Sequence, residues 1–166
     1  MNLPLSYQWL TQEPSPRHLL KALELYGITE VVGEKDNPVI LEWAKELGLE
    51  KVYTEDSIPW CALFVSIIMK RAGREPVEKP LWALNWANFG VKVGKPMLGD
   101  ILVFKRNGGG HVGIYVGDGK FIHSPRAGGE VRIESMADTY WRKRFNGARR
   151  VQGLAQSNSL DVPATR

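Results

Sequence analysis

Between Ser57 and Gly73 the chain reads Ser-Ile-Pro-Trp-Cys-Ala-Leu-Phe-Val-Ser-Ile-Ile-Met-Lys-Arg-Ala-Gly. The stretch is apolar along most of its length and punctuated at both ends, so any fold of this chain has to bury it as a helix. Pro59 pre-sets φ for a first turn, with Asp56 or Ser57 as the capping oxygen. Lys70 and Arg71 suit the negative end of the dipole, and Gly73 is the stop. Cys61, the only cysteine, then falls in the first turn, where unpaired N–H groups and the positive dipole end favour a thiolate. A lone cysteine in an apolar helix is also an ordinary core residue, and on this stretch alone that inert reading stands first. A base within reach would reverse the order.

The flanking sequence divides into helices followed by strands. Ser15-Pro16 opens a helix over roughly 16–26 with Leu19, Leu20, Ala22 and Leu23 on one side and Gly27 at its end. Asn37-Pro38 opens another, carrying Ile40, Leu41, Ala44 and Leu47 and stopped by Gly48. A third, over 80–90, has Trp82 and Trp86 one helical turn apart, at least one of them for the core. His18, at the start of its helix, is expected to be solvated. After Pro96-Met97-Leu98-Gly99-Asp100 the pattern shortens to strands at 101–104, 111–116, 120–123, 130–133 and 147–151. Their turn-length connections predict an antiparallel meander, and helices before strands make the class α+β.

Two histidines lie on neighbouring strands. A two-residue loop at Asp118-Gly119 would put His111 and His123 on opposite faces of the hairpin. A three-residue loop over 117–119 pairs 113 with 123, sets both rings on one face, and leaves open space at Gly113; this is the expected register. Val112, Ile114 and Val116 then face the core. Cys61 with His111 and His123 forms a nucleophile, a base of near-neutral pKa, and a third group that fixes the base's tautomer. The Cys61 backbone N–H would meet the oxyanion, a donor worth about 3 kcal/mol of barrier. The same three residues with a water could hold zinc, a reading ranked below catalysis because no short-spaced ligand pair supports it. Gly108 to Gly113 fits a dinucleotide-loop pattern, but a strand follows where a helix is required, so the glycines are read as a flexible approach to the site.

The runs Pro96-x-x-Gly99-Asp100-Ile101-Leu102-Val103-Phe104, Gly110-His111-Val112-Gly113-Ile114-Tyr115-Val116-Gly117, Phe121-Ile122-His123-Ser124 and Tyr140-Trp141-Arg142-Lys143-Arg144-Phe145-x-Gly147-Ala148-Arg149-Arg150 resemble the NlpC/P60 cysteine peptidases. The likeness extends over roughly residues 17–152 and implies a papain-like fold in which a nucleophile helix packs on an antiparallel sheet. It implies Cys61 as nucleophile, His111 as base and His123 as the orienting residue. Gly33-x-x-x-Asn37-Pro38-x-Ile40 and Pro59-Trp60-Cys61-Ala62-x-Phe64-Val65 look like a phage-associated branch, and Trp-Cys-Ala is similar to the CHAP amidases. Many members carry Asp-Cys-Ser-Gly there, and an upstream tyrosine for which Tyr53 is the candidate.

The expectation is one catalytic domain over 1–152, with a helical part at about 15–90, a sheet part at about 96–152 and a loose tail over 153–166. The activity implied is hydrolysis of peptidoglycan stem peptides between D-glutamate and the diamino acid, without metal or cofactor. The alternatives are an N-acetylmuramoyl-L-alanine amidase and a non-catalytic wall-binding or phage-structural module. A net charge of +4 suits an anionic wall polymer without excluding nucleic acid or a membrane surface, although no nucleic-acid motif or membrane-length apolar run is present. The chain is expected to be a monomer. The first residues show no basic-then-apolar pattern, so the expectation is synthesis in a cytoplasm and action on the wall or periplasm after release or injection. A holin, a secretion machine or an immunity protein would be the partner in such a route.

Overall fold

The computed structural model describes residues 2–12, 15–29, 38–49, 60–124 and 129–151. Asp56, Ser57, Pro59, Tyr53, the Gly33–Asn37 motif and the expected tail lie outside them. Three helices precede the sheet: α1 (Arg17–Glu24), α2 (Pro38–Glu46) and α3 (Cys61–Arg71). α1 and α2 end before Gly27 and Gly48, whose φ values of +89° and +74° suit residues without a Cβ. α3 is buried on every side from Cys61 to Met69, as the apolar run requires. α1 and α2 cover it on one side and the sheet on the other. Burying Leu63, Phe64, Ile67 and Ile68 completely contributes roughly 1.5–3 kcal/mol each.

The expected helix over 80–90 is a short 3-10 helix, Ala83–Asn88. Trp82 lies outside it as an extended N-cap residue with φ −93° and ψ 107°, so Trp82 and Trp86 do not share a helical face. Trp86 is fully buried and donates its indole N–H to the Pro80 carbonyl at 2.9 Å, whereas Trp82 is 70% exposed. His18 is not solvated: it is buried, and its Nε2–H donates to the Gly99 carbonyl at 2.6 Å.

Six strands follow: β1 (Val91–Val93), β2 (Ile101–Arg106), β3 (Gly109–Gly117), β4 (Lys120–His123), β5 (Arg132–Ser135) and β6 (Phe145–Arg150), with helix α4 (Thr139–Arg144) before the last. They form one antiparallel α+β sheet in the order β1-β6-β2-β3-β4-β5. β2 to β5 are the expected meander. β6 departs from it, because α4, capped by the Asp138 carboxylate at the Tyr140 N–H, returns the chain to the far side of β2. One face of the sheet meets α3 through Ile101, Val103, Val112, Ile114, Val116 and Ile122. The other carries Leu102, Phe104, Phe121, Ala148 and Trp141 of α4. Cover on both faces is why β2 reads as an unbroken apolar run rather than an alternating one. Asp100, 2% exposed, anchors the start of β2: it accepts both Nε and Nη2 of Arg150 at 2.9 Å and the Met97 N–H at 2.7 Å.

The β3–β4 hairpin combines the two loop lengths weighed from sequence. Gly117 pairs with Lys120 across a two-residue turn whose Asp118 and Gly119 both have positive φ. A bulge between Tyr115 and Gly117 then absorbs one residue, so Ile114 pairs with Ile122. That is the strand register of the longer loop, and it sets both histidines on one face.

Candidate active site

His111 sits on β3 directly across from Phe104 on β2, and His123 closes β4. Both rings are fully buried. They meet edge to face, with His111 Nε2 and His123 Nδ1 2.7 Å apart. The chain of bonds extends at each end. Arg106 Nη2 lies 2.6 Å from His111 Nδ1, and Glu134 Oε2 lies 2.8 Å from His123 Nε2. Guanidinium can only donate, so His111 Nδ1 is an acceptor and its Nε2 carries the proton. That proton goes to His123 Nδ1, which leaves His123 Nε2–H to donate to the Glu134 carboxylate. All three bonds therefore run one way, from cation to anion. Trp141 walls the pair, its ring 4.8 Å from His111 and 5.1 Å from His123, and donates its indole N–H to Glu134 Oε1 at 3.2 Å.

Cys61 heads α3 and is 6% exposed. Its sulfur accepts the backbone N–H of Val112, the peptide that joins it to His111. The sulfur thus meets β3 at its backbone beside His111, while the His111 and His123 rings pack with Phe104, Phe121 and Trp141 on the face of the sheet away from α3. His111 Nδ1, the nitrogen not engaged with β4, is bonded to Arg106 rather than to the sulfur.

Burial sets the charge states here. It pushes the Cys61 thiol up, against the pull of the Val112 N–H, the Arg106 charge and the N–H groups of Ala62 and Cys61. The helix start acts in the direction expected from sequence, but desolvation outweighs it, so the resting sulfur is a thiol and not a thiolate. Burial also holds His111 well below its ordinary value, with His123 and Arg106 adding to the effect. His123 is lowered by burial too, while its bond to Glu134 and that residue's charge push back, and Arg132 and Arg106 oppose them. Glu134 is pulled down to about 2, chiefly by the His123 bond and then by Arg132 and Trp141 against its own desolvation. At rest the thiol of Cys61 and the imidazoles of His111 and His123 are all neutral.

Two other sequence expectations change. The space at Gly113 is filled, since a Cβ there would lie 2.9 Å from Phe121 Cδ2 and 3.2 Å from His123 Cβ. Nor is Gly110 part of a flexible approach: it lies within β3, and a Cβ would meet Leu84 at 2.5 Å. A zinc ion on His111 would have to displace Arg106 or His123, so the donor set does not suit the metal alternative. Sequence reasoning missed Arg106, Glu134 and Trp141. Alternation along β5 places Arg132 and Glu134 on one face, a usable sign had the strand been extended past Ile133.

The sequence pattern of the NlpC/P60 family matches residues 59–150, more than half of the chain. It begins just before Cys61, so α1 and α2 lie outside it. The chain is 52% identical over 56 residues to murein DD-endopeptidase MepH of Escherichia coli strain K12, covering 32% of this chain and 21% of MepH. Against murein DD-endopeptidase MepS/murein LD-carboxypeptidase of the same strain it is 46% identical over 78 residues, 45% of this chain and 41% of MepS. This chain thus spans less than half the length of either relative. The crystal structure of the NlpC/P60 domain of the peptidoglycan hydrolase SagA superposes with a TM-score of 0.53 at 22% identity, covering 81% of this chain and 97% of that one. That superposition speaks to the fold.

Proposed function

The chain belongs to the NlpC/P60 family, and from that premise we propose that it hydrolyses peptide bonds of peptidoglycan stem peptides, with Cys61 as nucleophile, His111 as general base and His123 as the residue that orients it. The observation that carries this reading is the one-way chain of bonds through His111 and His123. Because thiol and imidazole rest neutral, proton transfer accompanies attack. Arg106 yields His111 Nδ1, the thiol proton moves to it, and sulfur bonds to the scissile carbonyl carbon. The oxyanion is met by the N–H at the helix start. Collapse breaks the C–N bond, the amine leaves with the proton from His111, and water then hydrolyses the thioester by the same route.

The bond favoured is that between D-glutamate and the diamino acid. A second reading, cleavage of the cross-link itself, is favoured by the name DD-endopeptidase that MepH and MepS carry. Purified sacculi digested with wild type and with Cys61→Ala separate these by mass. A new amino terminus on the diamino acid inside the stem supports the first reading, and conversion of cross-linked dimers to monomers the second. A new terminus on L-alanine would mean an amidase. Release of the same products by Cys61→Ala, or no release by wild type, overturns the proposal.

A further inference from the structure

We propose that Glu134 is a positioning residue of this site, a fourth member that fixes the tautomers of both histidines from the far end of the bond chain. The inference rests on the hydrolase reading for its effect on rate, and on geometry alone for its effect on the rings.

An imidazole that accepts at Nδ1 must donate at Nε2, so the tautomer of each ring is set by its neighbours. In a fully buried pair that choice is not left to water, and a mismatched N–H facing N–H leaves an unsatisfied group in a dry site. Arg106 fixes one end as donor, and only an obligate acceptor at the other end lets all three bonds form at once. Glu134 is that acceptor. It is itself held from three directions: His123 Nε2 at 2.8 Å and Arg132 Nε at 2.9 Å on Oε2, and Trp141 Nε1 at 3.2 Å on Oε1. Three donors converge on two oxygens, so the carboxylate has no freedom to rotate away.

The charge-neutral isostere cannot satisfy this arrangement. In Glu134→Gln, placing the amide nitrogen at the Oε1 position sets it against the Trp141 N–H. Placing it at the Oε2 position sets it against Arg132 and His123. Relief in the second case requires His123 to accept at Nε2 and carry its proton on Nδ1. His111 must then accept at Nε2 and carry its own on Nδ1, which faces the guanidinium of Arg106. The conflict thus travels the length of the site to the nitrogen needed for the thiol proton. Glu134 also favours a positive charge on His123, opposed by Arg132 and Arg106, so its loss lowers the pH at which the imidazole pair takes up a proton.

The test is nitrogen NMR of the imidazoles in the full chain, alongside kinetics on murein fragments, for wild type, Glu134→Gln and Arg132→Gln. Wild type is expected to show both rings neutral with the proton on Nε2. Glu134→Gln is expected to move His123 toward the Nδ1–H tautomer, lower the pair's titration, and cut kcat about 10- to 100-fold with KM within about twofold. Arg132→Gln, which removes a partner of the carboxylate but not its bond to His123, is expected to leave the tautomers in place. Wild-type rings carrying the proton on Nδ1 overturn the proposal without any variant, as do unchanged tautomers and kcat in Glu134→Gln. If wild type shows the expected tautomers yet cuts no murein, the hydrolase reading fails and the positioning role stands.

Discussion

Gly113→Ala is the most informative single substitution in the sheet. The added methyl would sit 2.9 Å from Phe121 Cδ2, 3.1 Å from the Ile122 carbonyl oxygen and 3.2 Å from His123 Cβ. Two of those atoms belong to the backbone or to the root of a side chain, so they yield only if β4 shifts. Overpacking of this kind costs about 1–3 kcal/mol, which for a chain of this size lowers the melting temperature by about 2–12 °C. The displacement falls on His123, whose 2.7 Å bond to His111 has no slack. Turnover is therefore expected to drop at least about tenfold at temperatures where the variant is fully folded, equivalent to about 1.4 kcal/mol of barrier. Gly109→Ala is the control on the same strand, because a Cβ there meets nothing within 4 Å. It is expected to be neutral or to stabilise by about 0.5–1 kcal/mol through reduced freedom of the unfolded chain. Thermal melts and initial rates on murein fragments, read side by side, decide the matter. Equal melting points and equal rates for the two variants would refute the register on which the site depends.

Two further expectations concern protonation. Cys61, buried and held above its ordinary value, should be alkylated by iodoacetamide at least about tenfold more slowly than a free small thiol at pH 7, with the rate still climbing above pH 9; rapid, pH-independent labelling by intact mass would contradict the neutral thiol. His111 and His123 are lowered in the fold, so the stability gained by keeping them neutral is in full force above the ordinary value of 6.5 and is lost as pH falls through their lower folded values. Glu134, lowered from 4.5 to about 2, adds a contribution that is complete above 4.5 and is lost as pH falls toward 2. Melting temperature should accordingly be level from pH 7 to 8 and decline below about 6.5. A melting temperature that stays level down to pH 4.5 would show that the rings are not held neutral.

The α+β class, α3 and the four strands of the meander are legible in the sequence because their apolar runs and glycine stops carry the information locally. The site is legible where alternation fixes it: once Ile114 faces α3, His111 must face away. The bulge near Val116 is not legible, since a two-residue turn plus a bulge and a three-residue loop give the same strand register. β6 is misplaced for a different reason. Its return to β2 depends on α4 and on the Asp100–Arg150 pair, a contact between residues far apart in the chain. His18 looks like a surface residue because its partner, the Gly99 carbonyl, is likewise distant. Arg106 and Glu134 pass for solvated charges at strand ends until the sheet brings them to the two ends of the histidine pair. The charge state of Cys61 also escapes the sequence, because the helix start is visible there and the degree of desolvation is not.

Intact-mass spectrometry of the chain quenched during turnover of murein fragments bears most directly on the account. It should show an acyl adduct on wild type that maps to Cys61, is absent in Cys61→Ala and fails to accumulate in His111→Ala. Turnover with no adduct in any quench, or an adduct mapped to another residue, would contradict the assignment of Cys61 and His111 as one nucleophile–base pair.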